Sequence, residues 1–220
     1  MTSVRFIGDI HGEFNDYSQT IKNVDTSIQV GDFGVGFGYE GQAKVIDEFL
    51  DSIPGNHRFI RGNHDSPSEC KKSKHWIADC TKEGEVMFIG GARSIDAHWR
   101  TPGVSWWEDE ELSMQDLYLT AEMYRDWKPR VLITHECPES VAVNMMIPLV
   151  RGHSNFRSRT RDALEHMYES HQPEIHIFGH WHHRVDTENF SFYNPMGDDV
   201  KTRFICLEEH GYIDLEVDLG

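Results

Sequence analysis

The chain has 220 residues, 38% of them hydrophobic, with 12 Phe, 6 Trp and a net charge of −16. That content supports a packed core and excludes a disordered or low-complexity chain. The acidic balance argues against stable binding to nucleic acid or to an anionic membrane, and no apolar run of about 18 residues marks a membrane span.

The size predicts one domain spanning 1–220, with cap-like insertions near 93–128 and 138–161. Cys70, Cys80, Cys137 and Cys206 show no C-x-x-C spacing. They are expected to be reduced, as in the cytoplasm. No signal-peptide pattern is visible at Met1-Thr2-Ser3-Val4. Oligomeric state is not readable.

Val4–Ile7 is a short apolar strand that runs into Gly8-Asp9-Ile10-His11. Thr26–Val30 leads in the same way into Gly31-Asp32. Apolar spacing at Ile46, Phe49, Leu50 and Ile53 predicts a helix over 41–53. A strand over 58–61 leads into Gly62-Asn63-His64-Asp65. The preceding Gly55-Asn56-His57 repeats part of that motif, but it follows Ile53-Pro54 and is read as a loop. Val86–Ile89 leads into Gly90-Gly91 and Arg93. Glu108–Glu111 reads as a charged helix N-terminus, and Ser113 with Asp116 as a capping box for a helix to about Trp127. Val131–Ile133 leads into Thr134-His135. A helix follows over 159–170, and Ile175–Phe178 leads into Gly179-His180-Trp181-His182. Late strands over 190–193, 203–207 and 212–217 suggest a second sheet packed on the first.

Alternating strands and helices predict an α/β domain with mostly parallel strands. Such sheets gather ligands at the carboxyl ends of their strands, and every motif here lies at that end. Asp, Asn and His donors suit Mn²⁺, Fe or Zn²⁺ rather than a thiolate site. Asp9, His11, Asp32, Asn63, His135, His180 and His182 are too many for one ion and enough for two.

Asp-x-His, Gly-Asp, Gly-Asn-His-Asp, a lone His after a strand and Gly-His-x-His, in that order, resemble the calcineurin-like metallophosphoesterases over roughly residues 4–183. The resemblance implies a four-layer αββα sandwich of two mixed sheets flanked by helices. It also implies two divalent ions, with Mn²⁺ expected and Fe, Zn²⁺, Ni²⁺ or Co²⁺ as alternatives. Asp9, His11 and His182 would hold one ion, and Asn63, His135 and His180 the other, with Asp32 shared. His64 would be the general acid, with Asp65 hydrogen-bonded to it to fix its tautomer. The family chemistry is phosphoester hydrolysis by metal-activated water.

One departure bears on substrate. Phosphoprotein phosphatases carry Gly-Asp-x-Val-Asp-Arg-Gly, whereas here Val35 and Gly36 stand at the second Asp and the Arg. Val35 also stands where a purple acid phosphatase has its metal-binding Tyr. A small phosphoester or nucleotide substrate is therefore expected. The alternatives are a nuclease, a serine/threonine protein phosphatase and a non-catalytic metal-binding scaffold. Arg93 either clamps phosphate or pairs with Asp96. Trp99, Trp106 and Trp107 form a satellite core or a stacking wall. The basic run Arg151, Arg157, Arg159 and Arg161 lines a phosphate-recognition cap or opens a solvated helix. His153, His166, His171 and His183 are expected to be solvated or packed.

Overall fold

A computed structural model describes residues 1–38, 40–150, 157–190 and 201–220. Its first sheet has the order β10-β1-β2-β3, built from β1 (Thr2–Ile7), β2 (Thr26–Gln29), β3 (Asn56–Phe59) and β10 (Tyr212–Val217). The first three are parallel, and β10 runs antiparallel to β1 from Thr2↔Val217 to Ile7↔Tyr212. The second sheet has the order β4-β5-β6-β7-β9-β8. Its parallel centre is β5 (Val86–Ile89), β6 (Val131–Thr134), β7 (Ile175–Phe178) and β9 (Arg203–Cys206). The antiparallel edges are β4 (Thr81–Glu83) and β8 (Val185–Thr187).

Alternation along the strands produces three cores. Val4, Phe6 and Ile28 of the first sheet meet Phe88, Ile133 and Ile177 of the second, so the sheets pack face to face. The outer face of the first sheet, with Ile7 and Phe59, packs on α1 (Phe14–Thr20), α2 (Gln42–Asp51) and α3 (Pro67–Cys70). The outer face of the second, with Leu132, Phe178 and Phe204, packs on α4 (Met114–Trp127), α5 (Glu139–Val141) and α6 (Arg159–Ser170). A π-helical turn over Ala142–Met146 continues α5. The result is the four-layer αββα sandwich. Among the described residues, no helix is long and apolar enough to cross a membrane.

Several expectations need correction. The late strands do not form a sheet of their own: β10 joins the first sheet and β9 the second, where the unexpected β8 pairs with it. Of the expected strand over 190–193, residues 191–193 lie outside the described residues. Asn56 and His57 are in β3, not in a loop. They sit at its amino end, where buried His57 bonds Ser27 Oγ at 2.9 Å, on the side away from the other motifs. The Ser113 cap is as expected, since its Oγ accepts Asp116 N–H at 3.1 Å. Glu108–Glu111 is not that helix's N-terminus. Glu111 Oε1 instead accepts Ser158 O–H at 2.7 Å and Thr160 N–H at 2.9 Å, at the start of α6.

His176 shows how the second sheet is held beneath its loops. It is fully buried in β7. Tyr168 O–H donates to its Nδ1 at 2.7 Å. Thr134 donates its hydroxyl to the Glu136 carbonyl, so His176 Nε2–H must donate to Thr134 Oγ1, at 2.7 Å. Burial pushes His176 down from 6.5 to about 3. The folded pKa is thus below the unfolded one, and between those values protons bind the unfolded chain preferentially. The contribution of His176 is complete above pH 6.5 and is lost as pH falls toward 3, at up to about 1.4 kcal/mol per pH unit. In urea denaturation, His176→Gln should be less stable than the parent at pH 7, with the gap narrowing by pH 4.5. A gap independent of pH would show that His176 does not titrate in this window.

Candidate metal centre

The site lies where the carboxyl ends of the two sheets meet. Asp9 follows β1, Asp32 follows β2 and Asn63 follows β3, all in the first sheet. His135 follows β6, and His180 and His182 follow β7, in the second. Backbone bonds lock the loops together. Ile10 and His11 N–H donate to the Asp32 carbonyl at 3.2 and 2.9 Å, and Gly179 N–H to the His135 carbonyl at 3.2 Å.

Asp9 is fully buried, and both its oxygens lie 3.1 Å from His180 N. His182 Nε2 is 3.1 Å from Asp9 Oδ2 and 3.2 Å from His11 Nε2. Asp32 is the shared group. Its Oδ1 accepts His64 N–H at 2.7 Å and lies 3.2 Å from His135 Nε2. Its Oδ2 lies 4.0 Å from both His11 Nε2 and His64 Nε2. His135 Nδ1–H donates to the Val30 carbonyl at 2.9 Å, which directs Nε2 toward Asp32 and toward Asn63 Oδ1, 3.2 Å away.

Among the described residues, three sets of donor atoms gather within 4.8 Å: Asp9, His11 and His182; Asp32, His135 and His180; and His11, Asp32 and His64. Mixed carboxylate and imidazole donors without thiolate fit divalent first-row ions. Two carboxylates buried this deeply need cationic compensation.

The electrostatics follow from this crowding. Burial raises the pKa of Asp32, but His135, His64 and His11 outweigh it and hold the group well below the carboxylate range. Burial lowers His135, but Asp32 outweighs it and lifts the ring to about 10. A cation taken up here must displace that proton. Burial brings His180 down to about 4, whereas the bond to Asp9 raises His182.

Local backbone is bent to make these contacts. His11, Asp32, His180 and His182 have φ of 46°, 58°, 69° and 53°, in the left-handed region that non-glycine residues avoid. Such conformations persist where surrounding contacts over-determine them. The motif glycines have a separate cause. A Cβ on Gly62 would overlap Asp32 Oδ1 and N and press on His135 Nε2, and one on Gly179 would overlap Asp9 Oδ1.

Sequence reasoning missed several supporting residues. Buried Glu136 accepts from Trp181 Nε1 at 2.9 Å and Arg161 Nε at 2.8 Å, with His180 Nε2 3.7 Å away. Its neighbour His135 was the only sequence signal for it. Burial raises Glu136, but Arg161 and His180 outweigh this and hold it at about 2. The basic run is therefore not one surface: Arg161 is buried in this pair, Arg157 is exposed, and Arg151 and His153 lie outside the described residues.

The expected Asp65 bond to His64 is replaced by four backbone bonds. The Asp65 carboxylate accepts from Gly62, Phe33, Gly34 and Val35 N–H at 2.7, 3.1, 2.6 and 2.8 Å. These donors belong to the very loops it joins, so it fastens β2's loop to β3's. His64 is instead stacked on Phe37, with centroids 4.8 Å apart, and Arg100 Nη2 rests against its Nε2. Burial lowers His64 to about 4, with Asp32 opposing and Arg100 reinforcing.

Arg93 does not pair with Asp96. It donates to the Arg157 carbonyl and lines a separate cavity with Trp106 and Glu108. Asp96 pairs with Arg100, at 2.7 Å. Arg100 carried no motif signal, yet with Asp32, Asn63, His64, His180 and His182 it lines a cavity of about 420 Å³. Trp99 is 83% exposed and belongs to no core, whereas Trp107 is buried with its ring 6.2 Å from Phe37. Of the expected cap over 93–128, residues 114–127 form α4 in the outer helix layer. His166 is exposed beside Glu169, His171 packs on the Pro129 carbonyl and His183 lines the site cavity.

Gly62→Ala should abolish binding of at least one divalent ion, because its methyl group and Asp32 Oδ1 cannot share one position. Calorimetric titration with Mn²⁺ checks this, with circular dichroism as the fold control. Parent stoichiometry and affinity in the variant would show that the loop yields freely.

No curated protein sequence matches the chain. The family model of the calcineurin-like phosphoesterases matches residues 2–184, which contain every donor described above. On that match the chain belongs to the calcineurin-like phosphoesterase family and is a metal-dependent phosphoesterase.

Proposed function

We propose that this protein hydrolyses a small phosphoester, a nucleotide or a compound of similar size, at a dinuclear centre. Asp9, His11 and His182 would hold one ion, and Asn63, His135 and His180 the other, with Asp32 between them. The observation that carries the reading is the sharing of Asp32 by donor sets from both sheets, beside a cavity that also holds His64 and Arg100. Mn²⁺ is the ion we expect. Divalent ions in such a pair supply Lewis acidity that lowers the pKa of water and offsets charge on the phosphoryl group.

The chain's own residues supply binding and proton transfer. Arg100 is placed to grip phosphate oxygens, in a bidentate geometry that guanidinium favours. His64 is held by its backbone bond to Asp32 and by the face of Phe37. Once a phosphate draws Arg100 away and its negative charge favours the imidazolium, His64 Nε2 would take up a proton from solvent and hand it to the leaving oxygen. The cavity size suits a nucleotide rather than the surface of a folded protein. Four free cysteines, three of them buried, support a reducing, cytoplasmic setting.

Calorimetric titration should reach about two Mn²⁺ per chain, and chelation should abolish turnover. At most one ion at saturation, or activity that survives chelator, overturns the dinuclear reading. A Mn²⁺-supplemented screen should give higher kcat/KM on 2′,3′-cyclic nucleotides or aryl phosphate esters than on a phosphopeptide or single-stranded DNA. Preference for either of the last two overturns the substrate reading alone.

Two side chains separate binding from chemistry. Arg100→Ala should raise KM with little change in kcat. His64→Ala should lower turnover ~10²–10⁴-fold on alkyl esters and little on p-nitrophenyl esters, whose leaving group hardly needs a proton. Equal losses on both esters would assign His64 to positioning.

A further inference from the structure

Asn63 is a ligand only if its amide oxygen, not its NH₂, faces the metal position. The two ends of a primary amide have nearly the same shape, so sterics alone do not choose between them. We infer that Ser94 and Glu110 make the choice: they are positioning residues that fix the Asn63 amide with Oδ1 toward His135. This rests on the dinuclear reading of the site.

The chain of bonds runs in one direction. Glu110, as a carboxylate, only accepts. Its Oε1 takes Ser94 N–H at 2.8 Å and its Oε2 takes Ser94 Oγ–H at 2.6 Å. The Ser94 hydroxyl has then spent its one proton, and its oxygen can only accept. The Asn63 atom 3.1 Å from it must therefore be the Nδ2 donor. Oδ1 is left on the opposite side, 3.2 Å from His135 Nε2.

All three residues are buried, at 2%, 3% and 5% exposure for Asn63, Ser94 and Glu110, which limits solvent as a substitute for a missing partner. The far end is anchored too. Arg61 donates to the Glu110 carbonyl at 2.7 Å and to the Asp109 carbonyl at 3.1 Å, and its Nε holds Asp79 at 2.8 Å. The segment after β5 thus reaches two sides of the site, with Arg100 in the cavity and Ser94 behind a ligand.

Reversing the relay tests it. In Glu110→Gln, the new carboxamide accepts Ser94 N–H and donates to Ser94 Oγ. The serine proton is then freed to point at Asn63, which must turn its oxygen away from the metal position. Mn²⁺ titration should show one of two ions weakened ~10–100-fold and the other unchanged, the size typical of losing a ligand's outer partner. Ser94→Ala, which unlocks the amide without reversing it, should weaken the same ion by less. Asn63→Asp placed in the Glu110→Gln chain should restore the lost affinity, because a carboxylate offers an oxygen to both sides. A merely structural role would not be rescued in this way.

The parent titration separates the two readings. Fewer than two ions in the parent defeats the dinuclear site and the relay with it. Two ions in the parent, with parent affinities in both Glu110→Gln and Ser94→Ala, overturns the relay alone. If Glu110→Gln does not fold by circular dichroism, Ser94→Ala decides: unchanged affinity for both ions overturns the relay.

Discussion

A carboxylate removed from water at the seam of two sheets must be compensated, and Asp32 is compensated from both sides. The first sheet offers the His64 backbone N–H, and the second offers the His135 ring. Neither sheet alone could supply both. The face-to-face packing of Phe6 and Ile28 on Phe88, Ile133 and Ile177 therefore sets the register of the site. Relative sliding of the sheets would separate Asp32 from His135 before it exposed much apolar surface.

A second layer of polar groups keeps the clustered donor residues from relaxing. Asp65 ties two loops through four backbone N–H groups. Glu136 holds Trp181, between His180 and His182, and is itself neutralised by Arg161. The His176 chain of hydroxyl and imidazole bonds steadies the end of β6, where His135 begins. These are buried, satisfied networks, the kind that narrow a polypeptide to one arrangement. They offset the left-handed backbone at His11, Asp32, His180 and His182.

How far the sequence disclosed this depends on distance along the chain. The strands were legible because each buried parallel strand is a short apolar run, and the donors because each follows such a run directly. The helix over 159–170 was legible because its apolar face repeats with helical spacing. Arg100 and Ser94 were not, because they lie in an irregular segment where no periodicity says which way a side chain points. Asp65 was misread for a related reason. Adjacency to His64 suggested a side-chain bond, but the nearest unsatisfied donors were backbone amides of residues 33–35 from another strand's loop. Asn56-His57 belongs to β3 because the strand begins two residues before its apolar run indicates.

The pairing of β1 with β10 has a consequence for assembly. The strand that leads into Asp9 is flanked on one side by Tyr212–Val217, and His210 N–H donates to the Asp9 carbonyl at 3.0 Å. The loop that holds Asp9 and the strand and turn that clasp it lie far apart along the chain. Contacts of such large sequence separation form slowly and late. The Asp9 loop is therefore not fully clasped until β10 has paired with β1.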